Sequence, residues 1–119
     1  MQTDVCGTLV PYNGENTPEY EAIKQNCDKL TSVFAKEQHT VVRKLHQAGL
    51  YSSLHLRSGN PMENAQEMVA TVEQHIVDEA ESFYRFLGVL LKWKGNKEIK
   101  LLQDIHQTFV SKFINSQIN

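Results

Sequence analysis

Two stretches of this chain carry apolar residues at helical spacing with almost nothing to interrupt them, and this limits the available folds more than any other feature. Between Ile23 and Ala48 there is no Gly or Pro, and between Ala65 and Leu90 only Gly88. Ile23, Cys27, Leu30 and Phe34 recur three or four residues apart, and so do Ala65, Met68, Val69, Val72 and Ile76. That period puts each set on one face of an α-helix. No segment of any length alternates apolar and polar residues as a half-buried strand would. The expected fold class is all-α.

Chain length sets where such helices must end. At 119 residues the chain is one domain's worth of sequence. A single helix from Pro61 to Lys94 would run about 51 Å at the rise of an α-helix. A compact domain of this length spans only about 35 Å. Breaks are therefore expected near Ala35–Lys36 and Val77–Asp78. The result is a six-helix antiparallel bundle, with a short third helix in the segment holding Leu50, Leu54 and Leu56.

Local signals mark the boundaries. Thr17-Pro18-Glu19 reads as a cap, a proline in the first helical position and an acid in the first turn. Asn60-Pro61-Met62-Glu63 repeats the pattern, with Glu63 expected to reach back as in a capping box. Asp78-Glu79-Ala80-Glu81 suggests a second capping box ahead of Phe83, Phe86, Leu87, Leu90 and Leu91. Gly49 is placed to end a helix whose last turn holds Lys44 and His46. Gly95-Asn96 should stop the helix of Phe83 to Leu91, and Ile99, Leu102, Ile105, Phe109 and Phe113 trace the last. Residues 1–17 read as a flexible or packed N-terminal arm, 18–114 as the bundle and 115–119 as a C-terminal tail.

The net charge of −2 gives no overall bias toward nucleic acid. The charges nevertheless fall in blocks. Residues 1–23 hold four acids and no base, and residues 58–84 six acids and no base. Residues 24–57 and 85–119 each hold six bases and two acids. Surfaces of such opposite sign suit oriented or self-complementary association. The two cysteines, Cys6 and Cys27, have no metal-ligand spacing. Cys27 sits on an apolar stripe and is expected to be a buried thiol, which fits a reducing, cytoplasmic compartment. The N-terminal residues lack the basic start and apolar run of a signal peptide. The longest apolar run, FLGVLL, is far too short to span a membrane.

Little here suggests chemistry. There is no HExxH, GxSxG, P-loop or GxGxxG string, and neither catalytic nor cofactor-binding nor metal-ligating residues are assigned. His75 lies between Glu73 and Glu79, but Glu73 is about 160° away around a helix. Glu79, one turn on, is the expected surface partner of His75. The segment KWKGNKEIK gathers Lys92, Lys94, Lys97 and Lys100 around Trp93. Lysines beside an aromatic ring can bind single-stranded nucleic acid or an anionic surface, and this forms the alternative functional reading.

The order of elements from residue 20 to 110 resembles a caspase recruitment domain of the death-fold superfamily. The resemblance rests on VVRKLHQAGLYS, with its Leu45-x-x-x-Gly49-Leu50 step, and on SGNPMENAQEMVATVEQHI. It continues through DEAESFYRFLGVLLKWKGNKEIKLLQDI, with its aromatic pair Phe83 and Phe86 and its Leu101-Leu102 segment. It implies a Greek-key-like helical bundle without enzymatic activity or cofactor. Such a domain associates with further copies of itself or with another domain of its kind, as an adaptor in apoptotic or innate-immune signalling. It also implies an asymmetric contact in which the first and fourth helices of one copy meet the second and third of the next. Arg43, Lys44 and Arg57 would supply the basic side of that contact. Glu63, Glu67 and Asp78 would supply the acidic side.

Overall fold

The computed structural model describes residues 17–118, with side-chain burial given as far as Asn115. The expected N-terminal arm, apart from Thr17, lies outside the described residues. The chain forms six helices: α1 (Pro18–Gln25), α2 (Cys27–Lys36), α3 (Gln38–Gln47), α4 (Pro61–Asp78), α5 (Ser82–Trp93) and α6 (Asn96–Ile118). No strand occurs among the described residues.

The six are not divided quite as expected. The stretch from Pro18 to Gln47 breaks twice, at Asn26 and at Glu37. Glu37 lies close to the expected break at Ala35–Lys36. At Asn26 the backbone leaves helical geometry, and the side-chain amide donates to the Ala22 carbonyl at 2.7 Å and to Thr108 Oγ1 at 3.1 Å. The expected short helix after Leu50 is absent, and residues 51–60 run as irregular chain. That segment is held instead by Asn64, which is 3 % exposed. Asn64 donates to Gln38 Oε1 and to the Ser58 carbonyl at 2.7 and 2.9 Å, and accepts from the Ser58 N–H at 3.0 Å. A side chain that satisfies the loop backbone in this way removes the need for a helix to do so.

Two helix starts follow the sequence closely. Thr17 Oγ1 accepts from the Tyr20 N–H, with Pro18 in the first helical position. Asn60 Oδ1 accepts from the Met62 N–H at 2.9 Å and the Glu63 N–H at 3.4 Å. The capping box itself does not form: Glu63 accepts from the Ser58 hydroxyl at 2.8 Å, and that same hydroxyl oxygen accepts the Asn60 N–H at 2.9 Å. Nor does a box form at Asp78–Glu81, because Asp78 is still the last residue of α4 and Glu81 makes no side-chain cap. Gly49 ends α3 as expected. Its φ is +75°, its N–H donates to the His46 carbonyl, and the Leu50 N–H donates to the Leu45 carbonyl at 2.8 Å. This paired closure requires a left-handed residue at Gly49. At the corner between α5 and α6 the left-handed residue is Lys94 (φ 62°), not Gly95.

Several long-range contacts show helices laid antiparallel. The bonds Asn26–Thr108 and Lys29–Asp104 run α1–α2 against α6. The bond of Asn64 to Gln38 and the electrostatic influence of Lys24 on Glu73 lay α4 back along α1 and α2. Arg85 beside Ala48 and Lys44 beside Trp93 run α5 against α3. The core unites Ile23, Leu30, Phe34, Leu45, Met68, Val72, Ile76, Phe83, Phe86, Leu90 and Ile105, each no more than 1 % exposed. Phe34 and Phe86 meet edge to face at 6.2 Å, and Phe83 stacks obliquely on Phe109 at 5.1 Å.

Two expectations about the core need correction. Cys27 is half-buried, not buried. In α6 the buried line passes through Glu98, Leu101 and Ile105, while Ile99 is 39 % exposed. α6 runs on to Ile118.

Candidate functional site

The six charged residues expected to form an association surface fall on two sides of the chain's middle third. Arg43 and Lys44 are on α3, Arg57 is in the 51–60 segment, and Glu63, Glu67 and Asp78 are on α4. Two of them meet within the molecule. Arg57 reaches Glu67 at 3.2 Å, and burial together with this same carboxylate pushes the Tyr51 hydroxyl pKa up. The 51–60 segment passes beside α4, so a basic and an acidic residue expected to meet across copies are already neighbours. Glu63 accepts from the Ser58 hydroxyl and Asp78 from the Gln74 amide at 2.9 Å. Arg43, Glu63 and Asp78 are exposed, and none of the three is in an ion pair among the described residues.

Lys44 points elsewhere. Its ammonium lies 5.6 Å from the centre of the Trp93 ring, within cation–π range. It lines a cleft of about 340 Å³ between α3 and α5 with Gln47, Ala48, Arg85, Gly88, Val89 and Lys92. Its walls hold three cations and no carboxylate. Sequence spacing gave no hint of this grouping, because Lys44 and Arg85 are far apart in the chain and meet only when α5 folds back along α3.

The basic segment Lys92–Lys100 is divided by the corner between α5 and α6. Lys92 joins Lys44 and Arg85. Lys100, on the first turns of α6, pairs with Asp104 at 3.1 Å, and Lys29 reaches the other oxygen of Asp104 at 3.2 Å. The Lys100 and Lys29 ammoniums hold the Asp104 carboxyl below its ordinary range. Lys97 and Lys100 thus face a groove shared with Asp28, Lys29 and Asp104, away from Lys92.

At this corner sits a buried carboxyl group. Glu98 is 2 % exposed, and its Oε2 accepts no hydrogen bond from the described residues. Its side chain folds against Gly95, where any Cβ would collide with Oε1. Burial, then a hydrogen bond to the Glu37 carboxyl, push the Glu98 pKa up from 4.5; its own backbone N–H and Lys97 oppose them. A protonated Glu98 can donate to Glu37, which joins the start of α6 to the junction of α2 and α3. Sequence reading places every glutamate outside by default, and only packing exposes this exception.

His75 is half-buried near the end of α4. The expected pairing with Glu79 does not form, because Glu79 leaves the helix with extended backbone (φ −154°, ψ 105°) and so loses the i,i+4 register. Its carboxylate lies 3.6 Å from Arg85 instead. Among the described residues no three His, Cys, Asp or Glu side chains gather into a group able to hold a metal ion. No helix among them is long and apolar enough to cross a membrane.

The chain is therefore a six-helix all-α bundle. Compared with known protein families, curated proteins and solved structures, the chain matches none.

Proposed function

We propose that this chain is a non-enzymatic interaction module, of the death-fold kind that its sequence resembles, working by association with further copies of itself or with a partner of the same kind. The observation that carries this reading is a six-helix all-α bundle with exposed charges of opposite sign, outside the ion pairs among the described residues, on α3 and α4. Arg43 is exposed on α3, and Glu63 and Asp78 are exposed on α4. A head-to-tail contact between such faces does not close on itself and can propagate. Exposed ion pairs of this type contribute orientation and on-rate, with only about 0.2–1 kcal/mol each. A role in apoptotic or innate-immune signalling in the cytoplasm belongs to the same reading.

Glu67 is a poor probe because it already holds Arg57. Glu63→Lys with Asp78→Lys, and separately Arg43→Glu, are the informative changes. Each is expected to lower self-association, or capture of a homologous bundle, in light scattering at low salt. Combining the acidic-face and basic-face changes is expected to restore it in part, with the helical circular dichroism spectrum unchanged throughout. Association equal to the parent's in both single-face variants would refute the reading.

A further inference from the structure

We infer that the cleft between α3 and α5 is a binding site for a phosphate monoester, presented by Lys44, Arg85 and Lys92. This goes beyond association through the α3 and α4 faces, since the cleft lies between α3 and α5 and its ligand is a small anion.

The cleft's walls suit an anion in composition and in the way they are held. Arg85 is oriented by two fixed acceptors: Nη1 donates to the Ala48 carbonyl at 3.3 Å and Nη2 to Ser82 Oγ at 2.9 Å. Ser82 is itself buried. A guanidinium has five N–H donors, so these two bonds leave others for a ligand. The bond to Ala48 also neutralises the carbonyl end of α3, which would otherwise repel an anion. Lys44 is steadied over Trp93, and neither Lys44 nor Lys92 is in an ion pair among the described residues. Glu79, which reaches Arg85 at 3.6 Å, is not part of the wall.

Gly88 provides the opening. It sits within α5, and a Cβ built there meets no heavy atom within 4 Å. A glycine inside a helix costs stability, and here it leaves the floor of the cleft clear. A volume of about 340 Å³ takes a phosphate group and part of what carries it. Phosphate offers several charged oxygens to a planar guanidinium and two ammoniums, the geometry that charge-assisted bonds favour. The same group occurs free in solution and at the head of a lipid.

Trp93 is the only tryptophan in the chain, so its fluorescence reports on Lys44 directly. The full chain is titrated with inorganic phosphate at constant ionic strength held with chloride. In parallel it is sedimented with phosphatidylcholine vesicles with and without phosphatidic acid. A saturable change in Trp93 emission is expected with phosphate, and sedimentation only with phosphatidic acid if the lipid is the source. Lys92→Gln is expected to weaken either response by about tenfold, the scale of one charge-assisted hydrogen bond, and Gly88→Met to weaken it at least as much by occupying the cleft. The first removes a cation and the second fills the cleft at unchanged charge. Lys112→Gln, on the far part of α6, is expected to bind like the parent. The proposal is overturned if neither arm saturates, if Gly88→Met binds like the parent, or if Lys112→Gln loses as much as Lys92→Gln.

Discussion

Replacing Glu98 by Gln is expected to stabilise this protein at neutral pH and to do so less and less as the pH is lowered. The unfolded chain holds Glu98 near its ordinary pKa of 4.5, and the folded chain holds it higher. Below 4.5 the carboxyl is protonated in both states, so it imposes no pH-dependent cost. Above 4.5 the unfolded chain releases its proton first, and stability falls as the pH rises through the folded pKa. Each tenfold difference in proton affinity is worth about 1.4 kcal/mol. Glutamine keeps the shape, carries no charge, and can donate its amide to Glu37 as the protonated acid does. A buried, unpartnered polar oxygen costs about 1–3 kcal/mol. Against that, an acid in the first turn of α6 loses about 0.3–1 kcal/mol of favourable interaction with the helix N-terminus. The raised pKa shows that burial and Glu37 outweigh the helix end. The net gain at pH 7 should be about 1 kcal/mol, roughly 4–8 °C in Tm for a domain of this size. Thermal unfolding followed by circular dichroism at pH 4 and pH 7 measures the difference directly. A Glu98→Gln protein destabilised equally at both pH values would refute the reasoning.

Asn64→Ala should cost about 2 kcal/mol or more in urea unfolding, because it strands the Ser58 N–H and carbonyl and Gln38 Oε1 at once; hydrogen exchange of residues 51–60 should rise with it. Gly88→Ala should add about 0.5–1 kcal/mol, the helix-interior penalty of glycine, since its Cβ meets nothing; a loss of stability would mean that α5 packs more closely there.

The parts of this fold that were legible in the sequence are those decided within a few residues. Thr17 and Asn60 cap because a side-chain oxygen reaches N–H groups two or three positions on. Gly49 ends α3 because its two closing bonds lie within six residues. The apolar stripe of α4 is buried as read, from Ala65 to Ile76, since a helix with one strong stripe has one way to face a core. The stripe of α6 was read as it is at Ile105 and, half-buried, at Leu102 and Phe109, but one position off at its start, where Glu98 and Leu101 are buried. A buried Glu98 replaces an apolar residue at its start, and a charged side chain hides the true phase.

What remained was settled over long distances. The break at Asn26 is held by Thr108, 82 residues away. The segment after Leu50 has the leucines of a short helix, yet Asn64 satisfies its backbone without one. Arg57 and Glu67 belong to blocks of opposite charge, but only the path of residues 51–60 along α4 makes them partners. In the same way Lys44, Arg85 and Lys92 become one cleft only when α5 lies antiparallel to α3. The sequence by itself determined that the chain is helical, where several helices begin, and which signs of charge its segments carry, because propensity, capping and periodicity act locally. The tertiary structure alone decided which charges meet each other and which are left facing solvent, because that depends on how helices distant in sequence are laid side by side.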